Sequence, residues 1–180
     1  HSSLAQIPSD STRLWTVELE PFKKVIDAGV DAVMVAHVNA PDFQEHAENP
    51  ATLSKFWIQD ILKTKLEFDG VVITDAMRMG GIVKNYSDKY ALLETINAGS
   101  DIIIQNMDLK RSIDHIEKAV LNGIISEERI NTSALKVLKM KEKLGLHNNR
   151  MLSIKDTYTK IGRQKNFKSA AEIAQRSITL

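Results

Sequence analysis

Cysteine is absent from the 180 residues, which removes disulfides, thiolate metal sites and cysteine nucleophiles from consideration and leaves the compartment open. Proline and glycine are sparse, four and eight in number, so collagen-like and low-complexity classes are excluded. No apolar run approaches the roughly 20 residues that a membrane-spanning helix needs. Charge of either sign is nearly cancelled. A net charge of +1 gives neither the basic footprint of a nucleic-acid binder nor a strong pull on an anionic partner. No HExxH, P-loop, GxSxG or calcium-loop pattern occurs, and no GxGxxG follows an apolar run, so the dinucleotide fingerprint is missing too. What remains is a globular composition, 43% hydrophobic and 26% charged, in a chain long enough to bury a core.

Helix-period and strand-type segments alternate along it. Leu14, Trp15, Leu19, Phe22, Val25 and Ile26 recur at helical spacing up to a terminator at Gly29, and predict one helix over Leu14–Ala28. A short apolar strand, residues 31–36, then ends at His37. Thr52 or Ser54 is the expected cap of a second helix through Phe56, Trp57, Ile61, Leu62 and Leu66. Gly70 precedes a strand over Val71–Thr74, which runs into Asp75. Further helices are expected over Tyr90–Ala98, Asp108–Leu121 and from Ser126 to about Gly145, with a strand at Ile102–Ile104 between the first two.

An internal repeat supports this reading: Ile26-Asp27-Ala28-Gly29-Val30-Asp31 is echoed by Ile96-Asn97-Ala98-Gly99-Ser100-Asp101. Each copy is a helix end, a glycine and an apolar strand. Such units predict a parallel sheet with both faces covered, and a (β/α) barrel or a piece of one. Active groups of such barrels sit where strands end. His37, Asp75 and Gln105-Asn106 occupy three such ends. Each also has a plain structural reading, as a satisfied histidine, a helix cap and loop formers. Met77 and Met79 have the character of packing residues. Asp42, Glu45, His46 and Glu48 crowd one loop, where a solvated loop is the default and no metal site is expected. No cofactor signal is present. Periodicity alone leaves the reaction open.

Several stretches carry a resemblance: Glu18-Leu19-Glu20-Pro21-Phe22, Val33-Met34-Val35-Ala36-His37-Val38, Pro50-Ala51-Thr52-Leu53-Ser54 and, most specific, Ile61-Leu62-Lys63 through Phe68-Asp69-Gly70-Val71-Val72-Ile73-Thr74-Asp75-Ala76-Met77. Over residues 1–145 the chain resembles the N-terminal barrel domain of glycoside hydrolase family 3, in its bacterial β-N-acetylglucosaminidase branch. The resemblance implies an α/β fold, the C-terminal portion of a TIM-like (β/α)8 barrel over residues 1–145. A polar and basic linker, residues 146–168, and the start of a second α/β sandwich domain, residues 169–180, would follow. It implies a retaining exo-glycosidase that hydrolyses terminal β-linked N-acetylglucosamine, with peptidoglycan fragments as one source. Asp75 would be the nucleophile and His1, on a loop ending Asp-Ser-His in the family, the acid/base. His37 and Met77 would line the substrate cleft. No metal is implied, and the expected partners are a carbohydrate and the second domain of the same longer chain, with no nucleic acid and no membrane span.

The opening on His1 and the closing run Ser177-Ile178-Thr179-Leu180 fit an internal piece of a longer bacterial protein, with a periplasmic or extracellular place favoured over a cytoplasmic one. Alternatives stay open. They are a β-glucosidase or β-xylosidase of the same family, phosphorolysis in place of hydrolysis, and a non-catalytic glycan-binding barrel.

Overall fold

The computed structural model describes residues 4–7, 10–41, 49–105, 108–151 and 153–178. Among the described residues five short strands all pair in parallel. β1 (Ala5–Gln6) pairs with β3 (Val38–Asn39), and β2 (Ala32–Val35), β4 (Val71–Ala76) and β5 (Ile102–Ile104) form a three-stranded sheet in the order β2-β4-β5. Chain contacts divide the molecule into two units, residues 1–140 and 141–180.

In the first unit α1 (Ser11–Arg13) precedes the expected helix over Leu14–Ala28, which is divided into a wider turn (Leu14–Glu18) and α2 (Glu20–Asp27). Leu19 N bonds five residues back to Leu14 O at 2.8 Å, and Pro21 begins α2 where a missing N–H costs nothing. The helix Phe56–Lys65 has the same wide winding, with Leu66 N on Ile61 O at 2.9 Å. No side chain caps it. Thr52, an expected cap, instead lies fully buried in a tight turn, Ala51–Leu53. α3 (Gly80–Val83), α4 (Asp88–Ala98), α5 (Leu109–Leu121) and α6 (Glu127–Lys143) complete the set. Ser87, Asp108 and Ser126 accept from the backbone N–H three residues on and start α4, α5 and α6.

One face of the sheet is covered. Val33 and Val35 of β2 and Val72 of β4 pack against Ile58, Ile61, Leu62 and Leu66 of the Phe56 helix and its end. Ile103 of β5 packs toward α4. Period-2 alternation sends their neighbours to the other face, where Met34 is 55% and Ile104 36% exposed. The expectation of a sheet covered on both faces is therefore corrected: among the described residues helices cover one.

In the second unit, the stretch expected to be a polar linker and the start of a sandwich carries α7 (Ile154–Lys160) and α8 (Gln164–Ser177), neither with a buried residue. Ser153 caps α7, and α8 runs from the expected linker into the expected start of the second domain. No described helix is long and apolar enough to cross a membrane.

Candidate active site

β4 carries the central carboxylate. Its first residues, Val71 and Val72, are buried, Val72 against the helix layer, and this anchors the strand. The strand runs two residues further than the apolar pattern implied, so Asp75 is its penultimate residue. Here the ladder to β5 is irregular. Ile73 pairs with Ile102 and Ala76 with Ile104, so three steps on β4 match two on β5. This is a β-bulge, which bends a strand and re-aims its side chains. Thr74, fully buried, stabilises the bulge: its Oγ1 accepts from Ile104 N at 3.0 Å, and Ile104 O accepts from Met77 N at 3.0 Å. Asp75 is half-buried, and its Oδ1 accepts from Ala76 N at 2.6 Å. A carboxylate held by a backbone donor at a rigid strand end, still reachable from solvent, is equipped to act as a nucleophile or a base.

His37 lies between β2 and β3 and is 5% exposed. Its Nε2 is 3.0 Å from Ala76 O, and a carbonyl can only accept, so Nε2 carries the hydrogen. Its Nδ1 is 2.8 Å from Thr52 Oγ1. That hydroxyl is also 2.8 Å from Ala36 O and 3.3 Å from Val35 O. Behind it, Thr95 Oγ1 donates to Thr52 O at 2.9 Å and lies 3.1 Å from Ser100 Oγ. A buried polar column thus joins α4 and the end of β2 to the end of β4. His37 and Asp75 meet through one residue, Ala76, and His37 has both ring nitrogens engaged with protein.

Met77 is 6% exposed among Leu53, Ile82 and Ala91, with Tyr86 and Ile103 packed alongside. Gln105, at the end of β5, is exposed with φ of 48°, a left-handed backbone uncommon for a side chain of this kind. His1, Asn106 and the loop of Asp42, Glu45, His46 and Glu48 lie outside the described residues. Among the described residues no cluster of His, Asp and Glu is arranged to hold a metal ion. Sequence reasoning missed the roles of Thr52 and Thr74. Each is a lone threonine whose partner is set by tertiary contact, and only its place beside an apolar run hinted at burial.

Comparison with known proteins places this geometry in a family. The model of the glycosyl hydrolase family 3 N-terminal domain matches residues 1–140. The chain belongs to glycosyl hydrolase family 3. The match also overturns the expected layout, a C-terminal barrel portion followed by a separate second domain: the matched unit is an α/β domain corresponding to the family's N-terminal barrel domain. The stretch expected to be a linker and the start of that second domain, residues 146–180, carries α7 and α8 among its described residues.

Among curated relatives, a β-N-acetylglucosaminidase/β-glucosidase of Cellulomonas fimi is 26% identical over 88% of this chain and 30% of its own length. A β-hexosaminidase of Chromobacterium violaceum is 36% identical over 57% of this chain and 26% of its own. Among solved structures, a family 3 β-N-acetylglucosaminidase from a Paenibacillus species is 36% identical with a TM-score of 0.78, over 86% of this chain and 30% of the other. The chain thus spans about a third or less of the length of these relatives.

Proposed function

We propose that the protein carrying this chain is a retaining exo-glycosidase that releases terminal β-linked N-acetylglucosamine, peptidoglycan fragments being one source. The observation that carries the reading is Asp75, a backbone-bonded carboxylate on the bulged end of β4, in a domain of this family. The related hexosaminidases and the Paenibacillus enzyme support the choice of sugar. The Asp75 carboxylate attacks the anomeric carbon and forms an ester to the sugar. The bond to the leaving oxygen breaks, and that oxygen takes a proton from the acid/base. Water then gives a proton back to the same base and attacks the anomeric carbon, which frees Asp75 and keeps the β configuration. His1 is the proposed acid/base, an imidazole being suited to both proton transfers near neutral pH.

In the intact protein, nitrophenyl N-acetyl-β-glucosaminide is expected to turn over faster than the glucoside, with the β anomer as first product. A preference for the glucoside would favour the second reading, a β-glucosidase, which the double name of the Cellulomonas relative supports. Asp75→Asn is expected to lose about three or more orders of magnitude in kcat while sugar binding is retained, a loss of the size seen when a covalent catalyst is removed. Normal turnover of that variant would remove Asp75 from the mechanism.

A further inference from the structure

His37 was expected to line the cleft, yet it is buried and both ring nitrogens are spent on protein groups. The last pair between β2 and β4 is Val35 with Thr74. Beyond it β4 continues for two residues with no β2 partner, and these are Asp75 and Ala76. On the β5 side the ladder is irregular between Ile73 and Ala76 and resumes at the pair of Ala76 with Ile104. Ala76 keeps its pair with Ile104, and on the β2 side, where the ladder has ended, it is held by other means. Its carbonyl accepts from His37 Nε2 and from Met79 N, both at 3.0 Å, and its N–H donates to Asp75 Oδ1 at 2.6 Å.

We infer that His37 is a positioning residue for Asp75: its Nε2–H replaces the missing ladder bond, fixes Ala76, and through the Ala76 N–H fixes the carboxylate. The inference rests on the proposed role of Asp75. Thr52 supplies the second restraint, because its hydroxyl against Nδ1 keeps the ring from turning. Thr52 is in turn held by the bond that Thr95 Oγ1 donates to its carbonyl. The histidine never meets the sugar. Its part is to prevent the nucleophile's own strand end from drifting.

Two substitutions separate this from a purely structural role. An asparagine amide reaches about as far as Nδ1, so His37→Asn keeps the Thr52 contact and loses the Ala76 one. A glutamine amide reaches about as far as Nε2, so His37→Gln keeps a donor for Ala76 O. In the intact protein, with a nitrophenyl N-acetylglucosaminide, His37→Asn is expected to lower kcat/KM about 100-fold, since small misplacements of a reacting group cost on that order. KM should change by less than about threefold, and His37→Gln should recover to within about tenfold of the parent. Thermal unfolding of both variants shows whether they are folded at the assay temperature. Should His37→Asn fail to fold, Thr52→Val, which frees the ring but leaves Nε2 in place, is expected to lower kcat about tenfold. Parental kcat/KM in a folded His37→Asn, a loss confined to KM, no recovery in His37→Gln, or, in the fallback, parental kcat in Thr52→Val would each overturn the inference. Asp75→Asn measured alongside separates the two levels. If Asp75→Asn is inactive and His37→Asn is not impaired, the positioning role alone fails; if Asp75→Asn turns over normally, both fail.

Discussion

Thr74 shows how much of the candidate site depends on single buried hydroxyls. It is fully buried and receives the Ile104 N–H, a donor that a regular ladder would have given to a backbone carbonyl. Valine has the same shape but no acceptor, so Thr74→Val should leave that N–H unpaired and destabilise the fold by about 1–3 kcal/mol. Urea unfolding measures it, and an unchanged midpoint would show that Ile104 N finds another partner. From sequence, Asp75 was visible because an apolar run ended on a charge, and its surroundings matched a family signature. The bulge that aims it was not visible, since it arises from the mismatch of two strands about 30 residues apart. Thr52 was misread for a similar reason. A threonine before a helix has the local look of a cap, and only contact with His37, 15 positions away, gives it its actual role.

At the level of elements, the repeated helix–glycine–strand unit was readable, and both Gly29 and Gly99 take the positive φ that such a terminator implies, 84° and 120°. The sequence treats the two as equivalent, whereas packing does not. A Cβ on Gly29 would meet nothing within 4 Å. On Gly99 it would collide with Gln59 Nε2 and lie 2.8 Å from Lys63 Nζ and 3.0 Å from Ile58 Cγ2. Gln59 and Lys63 are not free to swing aside without cost, because they bond Ala98 O and Gly99 O, each at 3.0 Å. Gly29→Ala should therefore cost about 1–2 kcal/mol, for backbone conformation alone. Gly99→Ala should cost about 1–3 kcal/mol more, for the displaced helix side chains. Equal losses in denaturant unfolding would contradict the packing argument. The helices that were misjudged failed for local reasons. Pro21 and the wide turn at Leu14–Glu18 divide a pattern that looks continuous, and α7 buries nothing, so no apolar stripe announces it.

Over the whole of the first unit, the end of the sheet opposite Asp75 is held by charge. The Asp101 side chain is completely buried; its Oδ1 accepts from Arg129 Nη1 and Nη2 at 3.2 Å and from Ser133 Oγ at 2.5 Å, and its Oδ2 from Val72 N at 3.0 Å. Lys136 lies 3.9 Å from Oδ2 and donates to Gly70 O at 2.8 Å. The network ties α6 to the starts of β4 and β5. Parallel α/β organisation was readable from the sequence, but this network was not, since its members come from separate segments. Burial alone pushes the Asp101 carboxyl up, but the Ser133 and Val72 bonds and the Lys136 and Arg129 charges together hold it below its ordinary value. In the unfolded chain Asp101 binds protons more readily, so its contribution is complete above the ordinary carboxylate range and is lost as pH falls through the lowered folded value.

Lys63, beside the same network, shifts in the sense that gives an alkaline limb. Burial lowers its pKa from 10.5 to about 8; the Asp101 carboxylate opposes this, and Arg129 and Lys136 reinforce it. Between those two values the unfolded chain holds a proton that the folded one has released, so stability from this group rises with pH across the window. Below about 8 both states are charged, and the folded state carries the full cost of a partly buried ammonium. Lys63→Met removes the titration and the bond to Gly99 O together. Other groups titrate in the same range, so the quantity to follow is the difference in urea-unfolding free energy between parent and variant. That difference should shift in the parent's favour from pH 8 to pH 10.5 and be flat from pH 6 to pH 8, with the pH limits taken from the folded and unfolded values. A difference that stays flat through the alkaline range would show that Lys63 keeps its ordinary affinity for the proton, and that burial at this end of the sheet is compensated by the Asp101 carboxylate.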